Sequence, residues 1–351
     1  MSISRPARIE DAWRRWRVPR QVARGLRPQI VPYLGYGSKD FVRVLGRVVL
    51  HDPRADQDTE PVGALEEAQR GWRSFTATPV PFIPVTVRAG AAVQVTRTDR
   101  SGYIDVIVRR HRFEPGWQEV ELSAPAANGV TARVNVVSHK VRVGIVADID
   151  DTVMVTYLPR VMLAAWNSFV VHTTNRKPVP GMPELFAQLQ RTHPDAPTFY
   201  VSTGAWNVAP TLQTFLRTHG YPEGPMLLTD WGPTNTGWFR SGMEHKRTAL
   251  RRLALEFPKV EWYLIGDDGQ HDPLIYQELA REHPSHVKAV LIRELNPVEQ
   301  VLAHGTTSEL RPPAWMRPTD AEAYVPYIEA PDGVSLARQL RRVTSHIRTK
   351  N

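Results

Sequence analysis

The sequence contains no cysteine. A disulfide scaffold, a thiol nucleophile and a thiolate metal site are therefore all excluded. It also lacks any run of about 18 apolar residues, so no segment is expected to cross a membrane as a helix. Its opening, MSISRPARIEDAWRRWRVPRQ, has no apolar core of the secretory type, and a cytoplasmic location is the expectation. What the chain does have is 351 residues, 42% of them apolar and 23% charged. That composition is globular, and that length suits two domains.

The net charge of +8 invites a nucleic-acid reading, but its placement argues otherwise. Residues 1–27 hold eight arginines against Glu10 and Asp11, a net of +6. Residues 332–351 hold Arg338, Arg341, Arg342, Arg348 and Lys350 against Asp332, a net of +4. The body between is left slightly acidic, so a nucleic-acid partner is not favoured. Ile9, Trp13 and Trp16 share one helical face in the basic segment 1–39. Trp at headgroup level with Arg on phosphates would suit peripheral contact with a membrane. Packing on the protein's own surface is the plainer alternative.

Residues 40–138 alternate with period two. FVRVLGRVVL (41–50), AAVQVTRTD (91–99), GYIDVIVRR (102–110), WQEVEL (117–122) and TARVNVV (131–137) are rich in β-branched residues and divided by turn signals. They predict an antiparallel β-sandwich-like domain. The polar stretch 51–81 interrupts them, with Leu65, Ala68, Trp72 and Phe75 at helical spacing. From 141 to 330 short apolar runs alternate with amphipathic segments around 181–191, 208–218, 244–256 and 273–282. This is the pattern of a Rossmann-like parallel sheet with helices between its strands. A basic helix is expected over 331–351, with Leu336, Leu340, Val343 and Ile347 on one face. It would lie on a membrane surface or pack on its own domain.

In parallel sheets, ligands bind at the carboxyl ends of the strands. The first strand ends in Asp148-Ile149-Asp150-Asp151-Thr152, the second in Ser202-Thr203-Gly204, and the fourth in Gly266-Asp267-Asp268-Gly269-Gln270-His271-Asp272. Lys246 stands where a helix begins. In an extended strand Asp148 and Asp150 face one pocket and Asp151 points away. Such packed carboxylates need a shared cation or proton, and hard oxygen ligands select Mg²⁺. These parts suit phosphoryl transfer, in which a carboxylate attacks phosphorus and a second carboxyl manages the leaving oxygen. A hydroxyl and an ammonium neutralise the phosphate oxygens. Ser202 is alternatively a helix cap, since Thr203 could take its role, and Asp272 an N-cap for the helix opening at Pro273. His271, His283 and His286 lack the paired spacing of a zinc site.

Asp148-x-Asp150-x-Thr152, then Ser202, Lys246 and Gly266-Asp267-x-x-x-x-Asp272, resemble the four ordered motifs of the haloacid dehalogenase superfamily of phosphatases. Within it, ADIDDTV, YVSTGAWN, LLTDWG and IGDDGQHDP resemble the actin-patch type of phosphatidate phosphatase. GYG (35–37), the GRV of 46–48 and TDRSGY (98–103) extend the likeness into the β-rich region. The resemblance implies a nucleophilic Asp148 that forms an aspartyl-phosphate, and an acid–base Asp150. It implies Ser202, or Thr203, and Lys246 on the phosphate, and a metal held by Asp148, the Asp150 carbonyl and Asp267. Thr152, Asp268 and Asp272 take supporting places. Asp268 departs from the pattern, which has a small polar residue there. It would tighten the cation or repel the phosphate, or do neither if it points away.

Asp148 and Ser202 are 54 residues apart, and Ser202 and Lys246 are 44 apart. Neither interval accommodates a large cap, so a minimal cap is expected, with a short apolar flap over 156–172. An open site of this kind suits a large or membrane-borne phosphomonoester. The expectation is a Mg²⁺-dependent phosphatase acting on phosphatidate at an anionic surface. One alternative is a phosphatase for phosphoproteins or nucleic-acid ends. Another is a non-catalytic lipid- or partner-binding scaffold on the same fold. Glycosyltransferases also use a DxD metal site, but they have no need of Ser202 and Lys246 at these element ends.

Overall fold

A computed structural model describes residues 20–53, 78–155, 176–229, 238–304 and 325–350. The Trp-bearing segment 9–18, the helix expected within 51–81 and the flap over 156–172 lie outside or largely outside these residues. The chain divides into two units, one holding residues up to 140 and the other most of the chain from 141 onward.

The first unit is a seven-stranded sheet. Its strands are β1 (Arg27–Gly37), β2 (Phe41–His51), β3 (Pro84–Ala89), β4 (Ala92–Arg97), β5 (Tyr103–Arg109), β6 (Gly116–Ser123) and β7 (Val130–Val136), in the order β4-β3-β6-β7-β1-β2-β5. Every pair is antiparallel except β1 with β7. A two-sheet sandwich was the expectation; the strands instead form one sheet whose edges, β4 and β5, meet. Alternation reports that one face is buried. It does not report whether the cover comes from a second sheet or from the same sheet curling on itself. Here Val44, Val85, Val87, Ile104, Val120, Leu122 and Val134 turn inward to one core. Two strands were hidden from the pattern. β1 carries Pro28 and Pro32, which argue against a central strand, yet it lies between β7 and β2. β3 falls just after the polar stretch.

The second unit is built on a six-stranded sheet of β8 (Val143–Ala147), β9 (Thr198–Ala205), β10 (Met226–Thr229), β11 (Glu261–Asp267), β12 (Val287–Arg293) and β13 (Tyr327–Ala330). The order is β10-β9-β8-β11-β12-β13. β8 pairs in parallel with β9 and β11, and β12 in parallel with β11 and β13. Helices α1 (Met182–Thr192), α2 (Ala209–Thr218), α3 (Trp238–Glu256), α4 (Asp272–Glu282), α5 (Pro297–His304) and α6 (Gly333–Lys350) connect or follow these strands. The strands are short continuous apolar runs, as buried parallel strands require. In α6, Leu336 and Leu340 are buried and the helix packs on β12, β13 and α1. Packing on its own domain therefore uses the first turns of this basic helix.

After β8 the chain steps outward to β9 and β10, then returns to β11 on β8's other side. The strand order thus reverses between β8 and β11. The crevice past the carboxyl ends of two such strands is where open parallel sheets bind ligands.

Candidate active site

The carboxyl ends of β8 and β11 bring acids together. The Asp148 backbone N–H donates to the Ile265 carbonyl at 2.9 Å, extending the β8–β11 ladder by one residue. The chain then turns sharply: Val153 and Met154 both donate to the Ile149 carbonyl, and Asp151 takes a left-handed φ of 57°. This turn ends the strand alternation after Asp150.

Lys246, on α3, bridges two of the acids. Its Nζ lies 2.7 Å from Asp148 Oδ1 and 2.6 Å from Asp272 Oδ1. All three side chains are buried. Burial pulls the ammonium toward deprotonation, but Asp148 and Asp272 outweigh it and hold the Lys246 pKa above its ordinary value. Asp272 opens α4, whose N-cap is His271. The Asp272 carboxylate therefore serves Lys246 and is not the helix cap. Gly266 makes room for it: a Cβ there would stand 2.7 Å from Asp272 Oδ2.

Asp267 is anchored from two sides. Its Oδ1 accepts from the Gly269 N–H at 2.9 Å, and its Oδ2 from Thr152 Oγ1 at 3.2 Å. Thr152 thereby ties the β8 turn to the end of β11. Burial raises the pKa of both Asp148 and Asp267 well above the carboxylate range, and the neighbouring acids add to the shift. For Asp148 those neighbours are Asp272 and Asp150; for Asp267 they are Asp272, Asp148 and Asp151.

Ser202, at the end of β9, donates from Oγ to Asp150 Oδ2 at 3.3 Å and accepts from the Gly204 N–H at 2.9 Å. Thr203 is half-buried, and its carbonyl accepts from Thr229 Oγ1 at 2.8 Å. Asp268 turns to the chain beyond β12, where one oxygen accepts from the Leu295 N–H at 2.8 Å.

Two arginines at this end of the sheet have no motif to announce them. Arg293, buried at the end of β12, donates to the Asp151 carbonyl at 2.7 Å and to Glu299 Oε1 at 2.6 Å. Glu299 in turn accepts from the Asn296 N–H, while Asn296 Oδ1 accepts from the Glu299 N–H. This is a capping box at the start of α5. The Asn-x-x-Glu spacing was its only sequence signal. Arg176 is half-buried with Asp150 and Asp151 in its field.

Asp148, Asp267 and Asp272 each offer an oxygen within 4.8 Å of one another. Asp148 Oδ2 and Asp272 Oδ2 are buried without a hydrogen-bond partner. Asp148, Asp267 and Asp272 outnumber the one ammonium among them, so ionising all three calls for a further cation. All-oxygen donors and orphaned carboxylate oxygens fit a hard divalent cation such as Mg²⁺. Asp272 belongs to this triad, whereas Asp150 was expected to ligate through its main-chain carbonyl and not through its carboxylate.

An acid cluster at a strand switch, with a buried Lys and a Ser beside it, is equipment for phosphate chemistry. Residues 143–294, which contain all of these groups except Leu295, Asn296 and Glu299, match the family model described as the catalytic domain of phosphatidate phosphatase APP1. The similarity supports a phosphatase. Among curated proteins, phosphatidate phosphatase APP1 of Saccharomyces cerevisiae is 26% identical over 152 residues, covering 43% of this chain and 26% of that protein. An uncharacterized protein of Schizosaccharomyces pombe is 25% identical over 154 residues, covering 44% of this chain and 25% of its own length. The chain thus spans about a quarter of the length of these relatives. A carbohydrate acetylesterase from Xanthomonas citri aligns over 77% of this chain and 70% of its own, at 9% identity. Its TM-score of 0.26 is too low to carry an argument.

Proposed function

We propose that the protein is a phosphomonoester hydrolase of the haloacid dehalogenase type, acting on phosphatidate to release diacylglycerol. The observation that carries this reading is Lys246 bridging buried Asp148 and Asp272 within a segment similar to a phosphatase catalytic domain. Lys246 holds Asp148 by Oδ1 and leaves Oδ2 unpartnered. One oxygen is fixed and the other is available for attack on phosphorus. Asp150, hydrogen-bonded to Ser202, protonates the leaving alcohol and then takes a proton from the water that hydrolyses the aspartyl-phosphate. Ser202 and Lys246 meet the nonbridging oxygens, with Thr203 beside them.

Asp148 and Asp267, with Asp272 and the Asp150 carbonyl, would hold a Mg²⁺ ion. When bound, that ion offsets the charge of the carboxylates and of the phosphoryl group. Thr152 orients Asp267, and Asp268 supports the chain beyond β12. The proposed setting is cytoplasmic, at an anionic membrane surface. No helix among the described residues is long and apolar enough to cross a membrane.

The test is phosphate release from phosphatidate vesicles, a phosphopeptide and a 3′-phosphorylated oligonucleotide, each with Mg²⁺ and with EDTA. Turnover of phosphatidate alone, lost with EDTA, is expected. Preference for the peptide or the oligonucleotide would replace the substrate. Inertness toward all three and toward an aryl phosphate would leave a non-catalytic scaffold.

A further inference from the structure

Among the described residues of the first unit, one line has neighbouring strands side by side without a hydrogen-bond ladder, between β4 and β5. Its two ends are tied. Ala91 N–H donates to the His111 carbonyl at 3.1 Å, and Asp99 N–H to the Tyr103 carbonyl at 2.9 Å. Both bonds fit a single antiparallel register. In it Val95 stands opposite Ile107, Val93 opposite Arg109, and Arg97 opposite Asp105. Residues directly opposite share a face. This face is the outer one, since Ile104, Val108 and Val87 on the alternate positions belong to the core.

Val93, Val95 and Ile107 are 54%, 62% and 42% exposed. Phe82, 55% exposed, adjoins them through its carbonyl, which accepts from Arg97 Nη1 at 2.9 Å. Edge strands of soluble proteins are normally blunted by charge or proline, not furnished with bare valines. Here the charge surrounds the apolar centre. Arg88 is beside Val93 in the β3–β4 register. Arg97, Arg109, Arg110 and Arg112 are all exposed. Arg110 and Arg112 flank the buried His111, whose Nε2 meets the Ser38 carbonyl and whose Nδ1 accepts from the Phe113 N–H. Both arginines take left-handed backbone, with φ of 62° and 59°. A non-glycine residue enters that region only where its surroundings require it. Of the acids on this face, Asp105 is engaged with Arg43, and Glu121 with Arg88 at 3.3 Å.

We propose that this seam docks the protein on an anionic lipid bilayer. Phe82, Val93, Val95 and Ile107 enter the boundary between headgroups and acyl chains. Arg97, Arg109, Arg110 and Arg112 meet lipid phosphates. Exposed apolar side chains inside a cationic rim complement a surface that is apolar beneath a negatively charged layer. A second protein surface would have to supply both an apolar patch and an acidic ring.

The surface and the catalytic residues belong to different units of the chain, so each is tested by its own assay. The full chain is sedimented with vesicles of phosphatidylcholine alone and of phosphatidylcholine mixed with phosphatidylserine. Phosphatidylserine is a diester and so not a substrate for a phosphomonoesterase. The wild-type protein is expected on the mixed vesicles. The V95E/I107E and R97Q/R109Q proteins are each expected to lose about tenfold or more in bound fraction, with unchanged thermal midpoints. The variant pairs act through different chemistry, so one remains informative if the other folds poorly. Hydrolysis of a soluble aryl phosphate should be the same in all three proteins; its absence throughout would refute the phosphatase reading and leave the docking result standing. Binding by both variants equal to wild type would overturn the proposal. So would failure of the wild type to bind mixed vesicles. Dimeric wild type, converted to monomer by V95E/I107E with vesicle binding intact, would make the face a self-association surface instead.

Discussion

Lys246 Nζ lies 2.6 Å from Asp272 Oδ1 in a setting where both side chains are buried. The two residues come from different helices, α3 and α4, and meet above the end of β11. A lysine this buried is tolerated only because its charge is matched. The same ammonium also holds Asp148, so the pair sets the geometry of the proposed nucleophile.

Replacing Lys246 with Met should therefore remove more than a phosphate contact. It leaves Asp148 and Asp272 buried without their cation. Breaking such a cluster costs about 3–5 kcal/mol. Urea denaturation with EDTA present should show that loss, and phosphatase activity should vanish. A Lys246→Met protein as stable as wild type would mean that the acids are protonated or otherwise matched.

Asp148→Asn should behave in the opposite way in stability. Burial and the neighbouring acids Asp272 and Asp150 disfavour its charge, while Lys246 retains Asp272 as a partner. An amide of the same shape relieves the repulsion. The expected outcome is a thermal midpoint equal to or above wild type in EDTA. Turnover should fall by at least about 1,000-fold. A well-folded, active Asp148→Asn protein would rule out the covalent mechanism.

The strand ends carrying Asp148, Ser202 and Asp267 were legible because buried parallel strands are continuous apolar runs and their polar termini stand out. Lys246 was expected where a helix begins; it lies instead near the middle of α3, which opens at Trp238, ahead of its apolar pattern. Arg293 was not legible. A lone Arg after an apolar strand reads as a solvated terminus, and only the fold brings the Asp151 carbonyl and Glu299 to it. β1 was missed because Pro28 and Pro32 suppress a strand reading that pairing with β2 and β7 restores. The turn of Asp268 toward Leu295 depends on where β12 ends, which no local pattern around 268 encodes.

Arg293→Met should release the Asp151 carbonyl and leave Glu299 buried without its partner. A loss of about 3–5 kcal/mol is expected for the single variant. Arg293→Met with Glu299→Met should recover much of it, since no buried charge then stays unmatched. A double-mutant cycle by denaturant unfolding measures this coupling. Activity distinguishes the two effects. If Arg293 positions the Asp150 turn, the double variant regains stability but keeps a lowered kcat with little change in KM.

Gly266→Ala probes the room that Asp272 occupies. The added Cβ would stand 2.7 Å from Asp272 Oδ2 and 2.8 Å from the Tyr276 ring. The β11 backbone cannot retreat, because it is paired on both sides with β8 and β12. Asp272 must then move off Lys246, at a cost of about 1–3 kcal/mol, and kcat should fall with it.

Proton linkage gives a test of cation binding that needs no turnover. Asp148 and Asp267 have folded-state pKa values raised above the ordinary carboxylate range. The folded protein therefore binds more protons than the unfolded chain at pH values above that range. Their contribution to stability is fully present below the ordinary carboxylate pKa and is lost as pH rises through the raised values. In EDTA, the thermal midpoint should fall as pH rises above the ordinary carboxylate range. A bound Mg²⁺ ion competes with those protons and favours the ionised carboxylates. Added Mg²⁺ should thus raise the midpoint more at pH 8 than at pH 5, approaching about 2.7 kcal/mol of stabilisation at a hundredfold excess over Kd. Asp267→Asn should abolish the Mg²⁺ response and remove its own share of the pH dependence, leaving that of Asp148. A midpoint indifferent to Mg²⁺ across this range would show that the Asp148, Asp267 and Asp272 triad holds no divalent cation.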